Sequence, residues 1–426
     1  EENFVGAFAW QSRQSIQNDT DISVNHEYIL AYAKNRRQAD RRLHKGNADK
    51  WYDAEGFAAY PLPLDAASFS NPDNDRRGPW KAVPFDHPQV RPNLTYAIRN
   101  PKTGVEHWPP PGRHWGTDEQ TLKGLMAEGR VVFGKGGESR PQLKIFYEER
   151  KEFGEVENTW FDGSRVGTAT HGTKEIQDLF DGKTIFDSPK PTGLMKALLR
   201  ISTRDGDLVL DFFAGTATMA HAVLGLNRED GGTRRLIMVQ LPEPTPEDSI
   251  ARKEGYTTIA EIGKERIRRV IQKLEGEKNE KLRLGENNDA EDLGFRVYRL
   301  AESNYKSWSG TEEKEPEKYL EQMEAFADPL VEGWKPENVI WEVAVKEGFG
   351  LESRIEEVKS VKGNKVYRVV DDDKEQTFHI CLDDTLNEET VKELGLGKDD
   401  LFVCRDKALT DSLAANLALQ VRLKTI

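Results

Sequence analysis

The 426-residue sequence predicts an α/β protein: an open, mostly parallel sheet, interrupted by an irregular inserted α+β domain and followed by a small α+β C-terminal domain. Three observations carry this. Helix-spaced and strand-like segments alternate between residues 194 and 241; prolines and tryptophans crowd the stretch before them; and strands and helices mix again from Gly294 onward. The length exceeds one ordinary domain and suggests two or three units, each able to bury a core.

Taken in order, residues 4–10 are apolar and aromatic, and residues 27–34 form a second such run ended by Asn35-Arg36-Arg37, which reads as a buried strand reaching a loop. Twelve of the 20 prolines and four of the nine tryptophans lie between residues 51 and 141, too many helix breaks for a bundle, so short strands such as 131–133 and 143–147 are expected there. Residues 194–201 have helical apolar spacing, 207–211 read as a strand, 218–226 as a helix and 235–241 as a second strand. Such alternation marks a parallel α/β sheet. Residues 259–274 read as an amphipathic helix whose arginines form a solvated or phosphate-facing edge. The charged stretch 275–292 reads as an exposed loop or linker, and the last unit shows strands at 365–370, 377–382 and 401–404 with helices at 388–394 and 412–423.

The formal net charge is −13, but residues 301–426 hold 28 acids against 17 bases, leaving only −2 for the first 300 residues. Between residues 31 and 150 there are 20 bases against 15 acids, a balance compatible with nucleic-acid contact by the front of the chain. Cys381 and Cys404 have no His or Cys at zinc spacing nearby, so no metal or disulfide framework is indicated. No apolar run approaches the roughly 18 residues of a membrane span, and a cytoplasmic location is expected.

The strongest chemical signal is Asp211-Phe212-Phe213-Ala214-Gly215-Thr216-Ala217-Thr218, between a strand and a helix. At the carboxyl end of a parallel strand, small residues such as Ala214 and Gly215 let the backbone approach a ligand. A Gly-x-Gly-x-x-Gly triplet is absent, which argues against a dinucleotide. Gln240 or Glu243, after the second strand, is placed to accept from a ribose, and Lys190 between Pro189 and Pro191 is placed to face a carboxylate or phosphate. The alternative is a tight turn with no ligand, and for Pro-Lys-Pro a solvated helix start.

Together these segments resemble the beta group of amino-DNA methyltransferases, and more closely the modification subunits of type III restriction-modification systems. The resemblance is carried by Pro189-Lys190-Pro191, Asp211 to Thr216, Val239-Gln240-Leu241-Pro242-Glu243-Pro244, residues 259–269 and Gly294-Phe295-Arg296-Val297-Tyr298, in that order. It extends to residues 4–10 and 25–35 at the front and to Ile380-Cys381-Leu382-Asp383-Asp384 near the end.

The resemblance implies a partial Rossmann-like class I methyltransferase sheet, with residues 1–44 as end strands of the core, 45–165 as a target recognition domain, 166–275 as the S-adenosylmethionine-binding core, 276–293 as a linker and 294–426 as a C-terminal domain. It implies adenine-N6 methylation of double-stranded DNA, a homodimer, and a helicase-nuclease restriction subunit as partner. The cofactor would meet Lys190, Pro191, Asp211, Phe212, Phe213, Ala214, Gly215, Thr216, Thr218 and Gln240 or Glu243. Arg76, Arg77, Lys81, Arg113 and Lys135 are the cations expected to face DNA, as phosphate clamps or readers of base edges. Trp80 and Trp115 are expected in the core, and His26 and His171 as hydrogen-bonded structural residues. The family's catalytic Asp-Pro-Pro-Tyr tetrapeptide does not occur in the sequence. With no initiator Met, the sequence reads as beginning inside a folded unit, so a separate N-terminal half carrying that tetrapeptide is a further expected partner and no turnover is expected from this chain alone. Two alternatives stay open: a non-catalytic DNA-recognition or assembly subunit, and a methyltransferase acting on RNA or a small molecule.

Overall fold

The computed structural model describes residues 2–16, 21–36, 59–134, 136–283, 293–307 and 316–426. It divides into two compact units, residues 1–294 and 295–426.

In the N-terminal unit a three-stranded sheet has the order Trp160–Phe161, Phe4–Gln11, His26–Tyr32, the first pairing parallel and the second antiparallel. Phe8, Trp10 and Phe161 bury one face against Val166, Leu194, Ala197 and Ile201. The Trp10 indole fixes this packing by donating to the Gly167 carbonyl at 2.8 Å. The run around residue 30 is not the buried strand its composition suggests, because strand side chains alternate and Tyr28, Leu30 and Tyr32 fall on the exposed face.

The second sheet is a parallel pair, Leu208–Asp211 with Arg235–Met238. Val209 and Leu236 pack against Leu199, Ala222, Val223 and Leu226 on the helices Thr192–Ser202 and Thr218–Asp230. The opposite face is apolar, and its Leu208, Leu210 and Ile237 are exposed. The helix Ile259–Arg283 is longer than its apolar pattern indicates. Residues 275–283 are helix rather than loop, since six of the nine are Glu, Lys or Leu, which are strong helix formers.

The proline- and tryptophan-rich region forms small sheets. Trp80–Pro84, Gln142–Phe146 and Val131–Val132 make one, and Asp86–Pro88 pairs with Arg113–Trp115. Phe85, Ile98, Trp115 and Leu122 form its core.

The C-terminal unit is a five-stranded sheet in the order Arg354–Glu357, Val366–Asp371, Gln376–Cys381, Leu401–Cys404, Arg422–Thr425, whose last two pairings are parallel. The helix Pro336–Lys346 covers one face, and Glu388–Leu394 with Asp411–Gln420 covers the other. Residues 422–425 continue the sheet rather than the last helix, because Val421 is already extended and Arg-Leu-Lys-Thr has strand alternation. No helix among the described residues is long and apolar enough to cross a membrane.

Candidate functional site

The turn at residues 211–218 is held by its own backbone. The Asp211 carboxylate accepts from Phe213 N–H at 3.2 Å, Ala214 N–H donates to the Val239 carbonyl at 3.1 Å, and Ala217 N–H donates to the Ala214 carbonyl at 2.7 Å. Gly215 (φ 51°) and Ala217 (φ 60°) both take the left-handed conformation, which suits glycine and strains alanine. A Cβ placed on Gly215 would approach nothing closer than the Phe213 carbonyl oxygen at 4.0 Å, so that side of the turn is open. Phe212 and Phe213 stand exposed beside it, the latter 83% so, with ring centroids 5.2 Å apart. On the inner side, Gly263 of the Ile259–Arg283 helix packs closely on the turn: a Cβ there would lie 3.2 Å from the Gly215 carbonyl oxygen, a tight contact.

Gln240 does not present a free acceptor. Its carboxamide oxygen takes the Gly215 N–H at 2.6 Å, bracing the turn from the neighbouring strand. Glu243 is exposed. Lys190 pairs with Glu27 at 2.5 Å and lies 4.9 Å from the Trp10 ring centroid, so its ammonium is engaged with the three-stranded sheet. Pro191 caps the helix that begins at Thr192 and is buried.

The element missed by sequence reasoning lies beneath the turn. Arg266, expected on a solvated helix edge, is 0% exposed. Its guanidinium donates to Thr218 Oγ1 at 2.7 Å, to Thr216 Oγ1 at 3.2 Å and to His221 Nδ1 at 3.3 Å, and lies 3.5 Å from a Glu175 carboxylate oxygen. Glu175 in turn accepts from Thr192 N–H at 3.0 Å and from its hydroxyl at 2.8 Å. Burial pulls the Arg266 pKa down to about 10, opposed by Glu175. Burial, then the Arg266 charge, drives His221 down to about 3, so its imidazole is neutral and accepts through Nδ1. A signal for Arg266 did exist: Ile262, Arg266 and Val270 recur at i, i+4, i+8 on the buried stripe.

Among the cations expected at DNA, Arg77 forms a two-point pair with Asp75 (3.0 and 2.8 Å), and Lys81 pairs with Glu155 at 3.1 Å. Arg113 pairs with Asp86 across its strand pair. Arg76 is exposed, and Lys135 lies outside the described residues. Trp115 is fully buried, its indole donating to the Tyr96 carbonyl at 2.7 Å, while Trp80 is half-buried and donates to Asp73 at 2.8 Å. His171 closes a helix cap with Thr168 at 3.1 Å. Among the described residues no cluster of three or more His, Cys, Asp or Glu could hold a metal ion.

A parallel strand, a small-residue turn and a helix thus leave an open glycine at the carboxyl end of a parallel pair, the place where α/β sheets take their ligands. Residues 2–273 match the N6/N4 methyltransferase family described as DNA methylase, and the chain belongs to that family. It is 36% identical over 311 residues to the StyLTI Mod subunit, a type III restriction-modification enzyme of Salmonella typhimurium, covering 71% of this chain and 42% of that protein. It is 27% identical over 328 residues to the EcoP15I Mod subunit of Escherichia coli, covering 70% and 46%. The type II methyltransferase M.KpnI of Klebsiella pneumoniae is 28% identical over 281 residues, covering 62% and 61%. The chain thus spans less than half the length of the two type III relatives.

Proposed function

We propose that this chain serves in site-specific adenine-N6 methylation of double-stranded DNA as part of a type III modification subunit, and that its 211–218 turn holds S-adenosylmethionine. The observation that carries this reading is the open side of Gly215, at the carboxyl end of a parallel strand, rimmed by the exposed rings of Phe212 and Phe213. When bound, the cofactor supplies an electrophilic methyl group on its sulfonium.

The chain's own part is binding and orientation. Asp211, Ala214, Gly215, Thr216 and Thr218 shape the floor of the site, Phe212 and Phe213 exclude water, and Glu243 is the acceptor left for the ribose hydroxyls once Gln240 is spent on Gly215. Lys190 and Pro191 form the far wall, Lys190 exchanging Glu27 for the cofactor carboxylate. We assign residues 45–165 to target recognition, 166–275 to a Rossmann-like cofactor core and 294–426 to a C-terminal domain. Arg76 makes the first phosphate contact, and Arg77, Lys81, Arg113 and Lys135 follow by trading carboxylates for phosphates. The fuller assembly is a homodimer with a restriction subunit. Because Asp-Pro-Pro-Tyr is not in the sequence, cofactor and DNA binding, without turnover, are assigned to this chain alone.

The test is equilibrium titration of the chain with S-adenosylmethionine. Gly215→Asn places a side chain in the open space while tolerating the left-handed backbone, and is expected to weaken binding at least about tenfold, a change of about 1.4 kcal/mol, without unfolding the protein. Equal affinity in the two proteins rejects the reading. DNA binding is checked by gel shift, where affinity should fall steeply with salt as phosphate contacts release counterions.

A further inference from the structure

Arg266 is placed at a cost. It is fully buried, its Nε–H has no hydrogen-bond partner, and its nearest carboxylate is held at ion-pair rather than hydrogen-bond distance, 3.5 Å. A buried guanidinium that is neither fully hydrogen-bonded nor tightly paired is poor stabilisation, because its desolvation is only partly offset. Its position suits another purpose. One fork touches Thr216 and Thr218 of the turn, and the other reaches His221 and Glu175. Glu175 grips both the backbone N–H and the hydroxyl of Thr192, directly after Pro189-Lys190-Pro191. The two segments proposed to flank the cofactor are therefore linked through Arg266 and Glu175, the former delivered by a helix whose Gly263 packs against the turn.

We propose that Arg266 is a positioning residue for the cofactor site: through Thr216 and Thr218 on one side, and through Glu175 and Thr192 on the other, it fixes the spacing between the 211–218 turn and the 189–192 segment. This rests on the reading of that turn as the S-adenosylmethionine site. Arg266 contacts the site's walls and not the ligand. Its effect is preorganisation, in which supporting side chains hold binding groups in one geometry before the ligand arrives. His221, kept neutral, completes the cradle as an acceptor rather than adding a second positive charge.

The experiment uses the 426-residue chain and three variants, Arg266→Met, Arg266→Lys and Glu175→Gln, with two readouts. Amide hydrogen exchange without ligand is expected to accelerate about tenfold to 100-fold at residues 213–218 and at Thr192, the range that loss of a charge-assisted hydrogen bond gives. Exchange in the interior of the Thr218–Asp230 helix stays unchanged in all three variants, so that any fall in thermal midpoint comes without a uniform loosening of the unit. S-adenosylmethionine affinity is expected to fall by a similar factor in each variant, and Arg266→Lys combined with Glu175→Gln should lose no more than either alone, since both break one linkage.

Uniform acceleration of exchange with a lowered midpoint would make Arg266 a general structural brace and overturn the proposal. So would a quiet turn with undiminished affinity in Arg266→Met, while leaving the cofactor reading intact. If exchange responds locally but the unsubstituted chain does not bind S-adenosylmethionine, the cofactor reading fails and only the mechanical linkage stands.

Discussion

Leu208-Val-Leu-Asp211 and Leu401-Phe-Val-Cys404 are closely alike as sequence: three apolar residues ended by Asp in one and by Cys in the other, each entering a parallel pairing. In the C-terminal unit, Leu401 and Val403 face the Pro336–Lys346 helix while Phe402 and Cys404 face the helices on the other side, and all four are buried. In the N-terminal unit only the Val209 face is covered, and Leu208 and Leu210 are more than half exposed, at 54% and 55%. A parallel strand is ordinarily covered on both faces. The difference teaches that a continuous apolar run specifies what a strand would bury, not what covers it. The exposed residues Leu208, Leu210, Ile237, Val239 and Leu241 share their strand ends with the turn carrying Phe212 and Phe213, so the apolar surface and the 211–218 turn are built on the same two strands.

Substitution breaks the comparison most sharply. Phe378 is fully buried against Phe349, at 4.8 Å between ring centroids, and Phe378→Ala should cost about 3–5 kcal/mol by the usual loss for a core aromatic. Leu210→Ala should change stability by no more than about 0.5 kcal/mol, as for an open surface site. Urea denaturation followed by probes in each unit measures both. A large loss at Leu210 would mean that its side chain is covered in solution.

Acid is a second way to separate the units. His221 titrates near 3 when folded against 6.5 in a model peptide, the largest cause being burial. The unfolded chain therefore binds a proton first on acidification, so stability is intact above about pH 6.5 and declines as pH falls toward 3, at up to about 1.4 kcal/mol per pH unit. His221→Asn should flatten that slope in the N-terminal unit. His379 in the C-terminal unit is lowered too, by burial and then by Arg368, so the sign is the same there and His221→Asn should leave that unit's acid response untouched. Denaturation midpoints at a series of pH values decide it, and an unchanged N-terminal slope would mean that His221 is hydrated or already charged.

What the sequence made legible follows from where packing and local pattern agree. Residues 194–201 carry enough helical spacing to locate Thr192–Ser202, and the segments 388–394 and 401–404 coincide with their elements. The bend at 211–218 was readable because the small residues Ala214 and Gly215 stand between a strand-like run and a helical one; the left-handed conformation itself falls at Gly215 and Ala217. The rest needed tertiary context. Residues 275–283 carry charges suited equally to a loop and to a helix. Gln240 and Lys190 are polar residues at the right ends of the right elements, but a carboxamide oxygen can serve a ligand or a backbone N–H, and only the 2.6 Å approach to Gly215 shows which partner it holds. Arg266 looked like its neighbours Arg268 and Arg269 because charge dominated the reading over helical register.

Thiol labelling sharpens the contrast at the smallest scale. Both cysteines lie in the C-terminal unit, in register on adjacent strands, and burial pushes Cys381 up to about 11 and Cys404 up to about 12. At pH 8 neither is a thiolate in the folded protein, so alkylation should be negligible until the sheet opens, then proceed at both sites together. Labelling by iodoacetamide, counted by mass, thus reports opening of the C-terminal unit alone. Phe378→Ala should speed it about 100-fold or more where opening equilibrates before alkylation, and Leu210→Ala should leave it unchanged. Rapid labelling of one cysteine in the unsubstituted protein would show that the strand edge frays locally, and that covering both faces of this sheet does not make it one cooperative block.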